Sequence, residues 1–217
     1  MPDFMNQARS RVAIGAGGIL VVVIAAIMLR SVDGVPLGPD AAWELLMVST
    51  QWAPARTVAL VLNFIGSAVG AGIATIAAVV LLSAFRHWRG SAAVAVTVCV
   101  GALSSTTIKL LSLRPRPLGG LPDLRTFSFP SGHTTWAAAI AAALALALPR
   151  VWTAILAAGW VALMAWSRTY IGAHWLTDVI AGALLGLSLA LIVDGSLTRL
   201  SGRLPMLRHR ARSTFPR

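Results

Sequence analysis

Six apolar blocks run through the 217 residues, at about 12–29, 58–85, 91–113, 132–148, 151–166 and 175–193. A continuous apolar run of about 18 residues is long enough, as a helix, to cross the hydrocarbon core of a bilayer, whereas a helix of a soluble protein carries only an apolar stripe. Inside lipid, every backbone N–H and C=O must be satisfied within its own segment, so such blocks are expected as helices. Only 12% of positions are charged, about half the share of an ordinary soluble domain. The expected architecture is all-α: a polytopic six-helix membrane bundle with short loops, one domain over residues 1–217, and a basic tail at about 195–217. The second block is long enough to tilt or to project past the bilayer, and the fifth is short. Arg9 and Arg11 precede the first block and raise a cleaved signal peptide. Its apolar stretch is longer than a signal core and no clean small-x-small site follows, so a retained span is expected.

The net charge of +11 raises nucleic acid, but its distribution points to a membrane. Arg9, Arg11, Arg86, Arg89, Arg150 and the tail arginines 199, 203, 208, 210, 212 and 217 all fall on one side of a six-span chain. The positive-inside rule makes that side cytoplasmic, with both termini on it, as in a bacterial inner-membrane protein. The partners implied are the lipid bilayer and no nucleic acid. The opposite side carries Arg114, Arg116, Arg125 and Arg168 against the rule, and an anionic substrate would account for them. Cys99 is the single cysteine; it forms neither an internal disulfide nor a zinc site alone, and reads as a small core residue. Oligomeric state is open.

Three polar clusters interrupt the apolar pattern, each at the outer end of a block. Lys109, the one lysine of the chain, lies in the third block, where an ammonium is costly and therefore invites a functional reading. Pro115 and Pro117 end that helix, and the long stem of Lys109 allows it to snorkel toward Arg116. Arg114-Pro115 repeats Arg116-Pro117 two residues early, which leaves Arg114 as a candidate for the pocket mouth. The second cluster is Pro130-Ser131-Gly132-His133. Serine is a good N-cap, glycine permits close approach to the backbone, and free N–H groups at a helix start bind anions. In the third cluster Arg168 precedes His174 and Asp178, which are four apart and expected on one helix face. A carboxylate there holds the proton on one imidazole nitrogen and leaves the other free as a nucleophile. Asp123 reads as a surface residue. His87 and His209 sit among arginines on the other side and are given no chemistry. Asp40 to Met47 is expected as a short interfacial helix covering the site, because Trp43 and Trp52 are typical interface residues.

A lysine, six residues and Arg-Pro; Pro-Ser-Gly-His; then Ser-Arg, five residues, His, three residues and Asp: in this order the clusters resemble the type 2 phosphatidic acid phosphatase superfamily of membrane lipid phosphatases. The resemblance covers residues 109–178 by motif. It implies that His174 attacks phosphorus to give a phosphohistidine, with Asp178 orienting it, and that His133 protonates the leaving oxygen. Lys109, Arg116, Ser131, Gly132 and Arg168 would hold the phosphoryl oxygens. No cofactor and no metal are implied, and two-metal chemistry would need clustered carboxylates that are missing near these motifs. The expected activity is hydrolysis of a phosphomonoester or diphosphate lipid, with polyprenyl diphosphate, phosphatidic acid and phosphatidylglycerophosphate as candidates and a lean toward the first. The competing readings are a phosphotransferase using the same residues, a vanadate-dependent oxidoreductase, and a transporter or lipid-phosphate binder without catalysis.

Overall fold

A computed structural model describes residues 2–118, 120 and 126–213, with side chains described between residues 5 and 201 of these. Asp123, Arg125, His209 and the tail arginines beyond Arg199 fall outside the described side chains.

Eight helices make up the described chain: α1 (Pro2–Ser31), α2 (Gly38–Ser49), α3 (Ala53–Ile65), α4 (Ala68–Ala84), α5 (Trp88–Ser112), α6 (Gly132–Ala147), α7 (Val151–Tyr170) and α8 (Leu176–Ser213). The protein is all-helical and membrane-embedded, with polarity arranged accordingly. Ile14, Leu45, Phe64, Leu103, Trp152 and Leu156 are exposed, whereas Thr97, Ser105, Ser131, Thr134, Thr135, Ser167, Arg168 and Asp178 are buried. In lipid the apolar surface faces outward without penalty, and polar side chains are turned inward to find partners. The free thiol of Cys99 is exposed on α5, not buried as the sequence suggests. It lies on the face with Val96, Val100 and Leu103, which are exposed as well.

Four helices are long and apolar enough to cross a membrane: Met5–Ser31, Trp88–Ser112, Val151–Tyr170 and Leu176–Ser201. The block at 58–85 is not one straight span. It breaks into α3 and α4 with a 66° bend, because Gly66 caps α3 and the Ser67 hydroxyl accepts from the Gly70 amide to start α4. The fifth block is longer than its hydropathy implies and runs to Tyr170, its last turn being polar. The short helix is α6, with 16 residues, or about 24 Å at 1.5 Å per residue against roughly 30 Å of hydrocarbon. The expected helix at 40–47 is present as α2.

At the centre, α8 packs against α1, α5 and α6. Gly182 and Gly186 of α8 allow a close approach to α6: a Cβ on Gly186 would lie 2.4 Å from the Thr135 carbonyl oxygen, and one on Gly182 would lie 2.6 Å from the Ser131 carbonyl oxygen and 3.2 Å from the Thr134 Cβ. A backbone oxygen cannot swing aside, so Gly182→Ala is expected to part α6 from α8 at a cost of about 1–3 kcal/mol. Thermal unfolding in detergent checks it. Gly17→Ala, with nothing within 4 Å of the added carbon, should leave the midpoint unchanged.

Candidate active site

The three motif clusters meet at one end of the bundle, each placed by a local stop or start signal. Helix α5 ends at Ser112, where Leu113 turns left-handed (φ 48°) and its amide returns to the Lys109 carbonyl. The extended segment after it runs through Pro115 and Pro117. Ser131 is the N-cap of α6, its hydroxyl accepting from the Thr134 amide. Arg168 is in the last turn of α7, and His174 lies in the turn ahead of α8. The expected helical i,i+4 pairing of His174 with Asp178 is therefore modified: only Asp178 is in the helix, in its first turn. The Trp175 amide donates to Asp178 Oδ2 at 3.0 Å, tying the turn to the helix.

His174 is 4% exposed and held from both sides. Its Nδ1–H donates to Asp178 Oδ2 at 3.3 Å, and Arg116 Nη1 donates to its Nε2 at 3.1 Å. A carboxylate on one nitrogen and a cationic donor on the other select one tautomer, proton on Nδ1 and lone pair on Nε2. Burial above all, then the charges of Arg116, Lys109 and Arg168, holds its pKa well below the ordinary histidine value. A depressed pKa favours the neutral ring, so it persists as pH falls through 6.5, where an exposed histidine has half protonated. Nitrogen-15 spectra of histidine-labelled protein should keep the unprotonated Nε2 signal of His174 at about pH 6; Nε2 protonating near about pH 6.5 would contradict the assignment.

Cations surround this imidazole. Arg116 is anchored by Nε to the Thr126 carbonyl at 2.8 Å and by Nη1 to the Ala173 carbonyl at 2.6 Å, and burial lowers its pKa. Lys109 reaches out of α5 to the carbonyls of Phe127 at 2.7 Å and Ser128 at 3.2 Å. Among the described residues, no carboxylate pairs with it. Arg168 is fully buried, with Nη1 on the side chain of Asn63 and Nε buried without a partner. Unpaired buried donors are costly unless a ligand completes them. His133 is half-buried at the start of α6, its Nε2–H donating to the Asn63 carbonyl at 3.1 Å. All eight residues singled out by the motifs thus lie around one end of the bundle. Among the described residues, no group of three or more His, Cys, Asp or Glu side chains gathers to hold a metal.

One expectation changes. Arg114 is not at the pocket mouth. It is 0% exposed and lies behind Asp178, with Nη1 on Asp178 Oδ1 at 2.7 Å and Nη2 on Asp40 Oδ2 at 2.5 Å. Two further residues were not picked out by sequence. Asn63 joins Arg168 to His133 from the end of α3. An amide in an otherwise apolar block was the available signal. Gly66, at the α3–α4 elbow, lies against His133, and a Cβ there would come within 2.5 Å of its ring.

The arrangement defines a class: a polytopic membrane protein whose inner pocket collects cations and paired hydrogen-bond donors around a neutral histidine, suited to a tetrahedral oxyanion. Residues 88–196, half of the chain, match the PAP2 superfamily, and the protein belongs to that family. The curated relatives match only locally. An undecaprenyl-diphosphatase of Sulfolobus acidocaldarius is 43% identical over 65 residues, 30% of this chain and 31% of that one. A lipid A 1-phosphatase of Rhizobium etli is 45% identical over 60 residues, 27% of this chain and 25% of that one. The matches therefore span less than a third of those relatives' length. Among solved structures, the PAP2-type phosphatidylglycerolphosphate phosphatase from Bacillus subtilis shares the fold with a TM-score of 0.72 at 24% identity, over 86% of this chain and 96% of the other. Aquifex aeolicus LpxE follows with a TM-score of 0.56 at 23% identity, over 72% and 95%.

Proposed function

We propose that the protein is a membrane lipid phosphatase that releases orthophosphate from a lipid monophosphate or diphosphate through a phosphohistidine at His174, without a metal. The observation that carries this is the pair of contacts on His174: Nδ1 meets Asp178 and Nε2 meets Arg116, which favours the tautomer with a lone pair on Nε2. In the first step Nε2 attacks phosphorus and the P–O bond to the lipid breaks. The departing oxygen takes a proton from His133, which acts in this step as the imidazolium. Lys109, Arg116 and Arg168, with Ser131 and the Gly132 amide at the start of α6, bind the three peripheral oxygens. In the second step His133 accepts a proton from water, the hydroxide attacks phosphorus, and the P–N bond breaks to give orthophosphate and free His174. Phosphoryl transfer needs chiefly position and charge compensation, which the cations supply.

Lipid as the substrate class is supported by the relatives' names and by an apolar groove. A cavity of about 620 Å³ between α6, α7 and α8 is lined by Leu176, Val179, Ala183 and Leu187 on α8. It begins two residues from His174 and runs along the bundle, which suits a tail that stays in the bilayer. Arg11, Arg86, Arg89 and Arg150 lie at the end away from the site. By the positive-inside rule, this supports an extracytoplasmic site, both termini cytoplasmic, in a bacterial inner membrane.

The test is orthophosphate release from polyprenyl diphosphate, phosphatidic acid and phosphatidylglycerophosphate in mixed micelles with EDTA present. Labelled phosphoenzyme is trapped at alkaline pH, where phosphohistidine survives. Phosphate release with EDTA and a base-stable, acid-labile phosphoenzyme are expected. Loss of activity with EDTA would sink the metal-free step.

A further inference from the structure

Behind the His174–Asp178 pair lies a buried ionic group that no motif residue explains. Arg114 is shared between two carboxylates: Nη1 donates to Asp178 Oδ1 at 2.7 Å and to Thr177 Oγ1 at 2.7 Å, and Nη2 donates to Asp40 Oδ2 at 2.5 Å. The side chains of Arg114, Asp40 and Asp178 are all 0% exposed. Asp40 is satisfied in full, taking the Thr177 amide on Oδ1 at 2.8 Å and the Thr177 hydroxyl on Oδ2 at 2.9 Å. It stands in the first turn of α2, a helix whose outward residues Leu45, Leu46 and Val48 are exposed. A buried ion network is a poor stabiliser compared with packed apolar side chains. Anchoring α2 therefore does not by itself call for two carboxylates on one guanidinium.

We propose that Asp40 is a positioning residue for the nucleophile, acting through Arg114 to leave Asp178 with the negative charge that keeps His174 Nε2 electron-rich. This rests on the reading of His174 given above. If Arg114 faced Asp178 alone, one cation would cancel one anion, and the carboxylate would accept weakly from His174 Nδ1–H. Asp40 takes up that cation from the other side. The trio of Asp40, Arg114 and Asp178 keeps a net single negative charge, directed at Nδ1 in a site dry enough for the difference to be felt. As the bond from Nε2 to phosphorus forms, the ring becomes cationic, and this charge stabilises it. Helix α2 thereby becomes part of the chemistry without touching substrate.

The experiment is Asp40→Asn, nearly isosteric and still able to accept from the Thr177 amide. The other groups facing His174 and Asp40 are left as they are: Lys109 of α5, Arg116 after α5, His133 of α6, Arg168 of α7 and Glu44 of α2. Quench-flow with purified protein in nanodiscs counts active sites by the burst of phosphoenzyme and gives the rate per site. The variant should form phosphoenzyme about tenfold or more slowly at saturating substrate, with KM within about twofold. Its acid limb of kcat should move to lower pH, since a ring with less negative charge behind it protonates less readily. Thr177→Val, which removes the hydroxyl's two hydrogen bonds to Arg114 and Asp40 but no charge, should slow phosphoenzyme formation far less than Asp40→Asn. In an Asp178→Asn background, Asp40→Asn should add no further loss. A wild-type rate per site, a fall in burst amplitude alone, or equal losses in both backgrounds would overturn the proposal. Absence of any phosphoenzyme in the wild-type protein would overturn the phosphohistidine reading with it, whereas phosphoenzyme formed at an unslowed rate in Asp40→Asn would overturn only the role of Asp40.

Discussion

His174→Ala is expected to lower kcat for orthophosphate release by about ten-thousand-fold or more and to leave no covalent phosphoenzyme. The expectation follows from what is left behind. Without the imidazole, Lys109, Arg116 and Arg168 still form a cationic pocket, so lipid phosphate should bind with affinity changed by no more than a few-fold. Alanine offers no lone pair, and Arg116 Nη1 keeps its bond to the Ala173 carbonyl, so no other nucleophile is positioned. The measurement is phosphate release together with lipid binding to the same preparation. Activity above about a tenth of wild type, with binding intact, would mean that water attacks directly. His133→Ala provides the contrast. With a leaving group that needs no proton, such as a nitrophenyl phosphate, it should still phosphorylate His174 and then stall before hydrolysis.

The second large effect concerns stability. Arg114→Met is expected to destabilise the protein by about 3–5 kcal/mol, the usual consequence of leaving a buried charge without its partner. Methionine approximates the volume, but Asp40 and Asp178 would then face each other across a dry site at 0% exposure. One of them must take up a proton or the segment must open. The Trp175 ring, 5.5 Å from the guanidinium carbon, would lose a cationic neighbour too. Thermal unfolding in detergent, read against wild type, checks the size. Adding Asp40→Asn should recover part of the loss, because it removes one of the two unpaired anions. A double variant no more stable than Arg114→Met alone would show that repulsion between the carboxylates is not the cause.

The limits of sequence reading here have physical origins. The gathering of the motif residues was legible because each sits near a helix end with a local signal: Ser131 as N-cap, Arg168 in a last turn, His174 and Asp178 four apart. Asp40 was not, since its partners Arg114 and Thr177 lie 74 and 137 residues away, and no local pattern marks a residue that is completed by another helix. Asn63 is similar, with contacts 70 and 105 residues distant. The fold was legible to the level of apolar blocks. The break at Gly66 and Ser67 was not, because hydropathy averages over it, and two small residues hardly lower the mean. The same averaging shortened α7, whose polar last turn carries Arg168.

The brevity of α6 sets a depth. Its far end is level with the start of α5, where a Cβ on Gly90 would meet Ala147 at 2.8 Å, and its first residue, Gly132, lies beside Ser105. Ser105 is two turns short of the end of α5 at Ser112, so the anion-binding start of α6 is sunk about 10 Å below the rim of its neighbour. If the substrate is the lipid phosphate proposed above, its phosphate would have to descend by that distance from the end of α5, with its tail moving along the bundle. On that geometry, bilayer thickness would act as a selectivity filter: thinner membranes would bring the headgroup plane nearer to the well, and thicker ones would lengthen the descent.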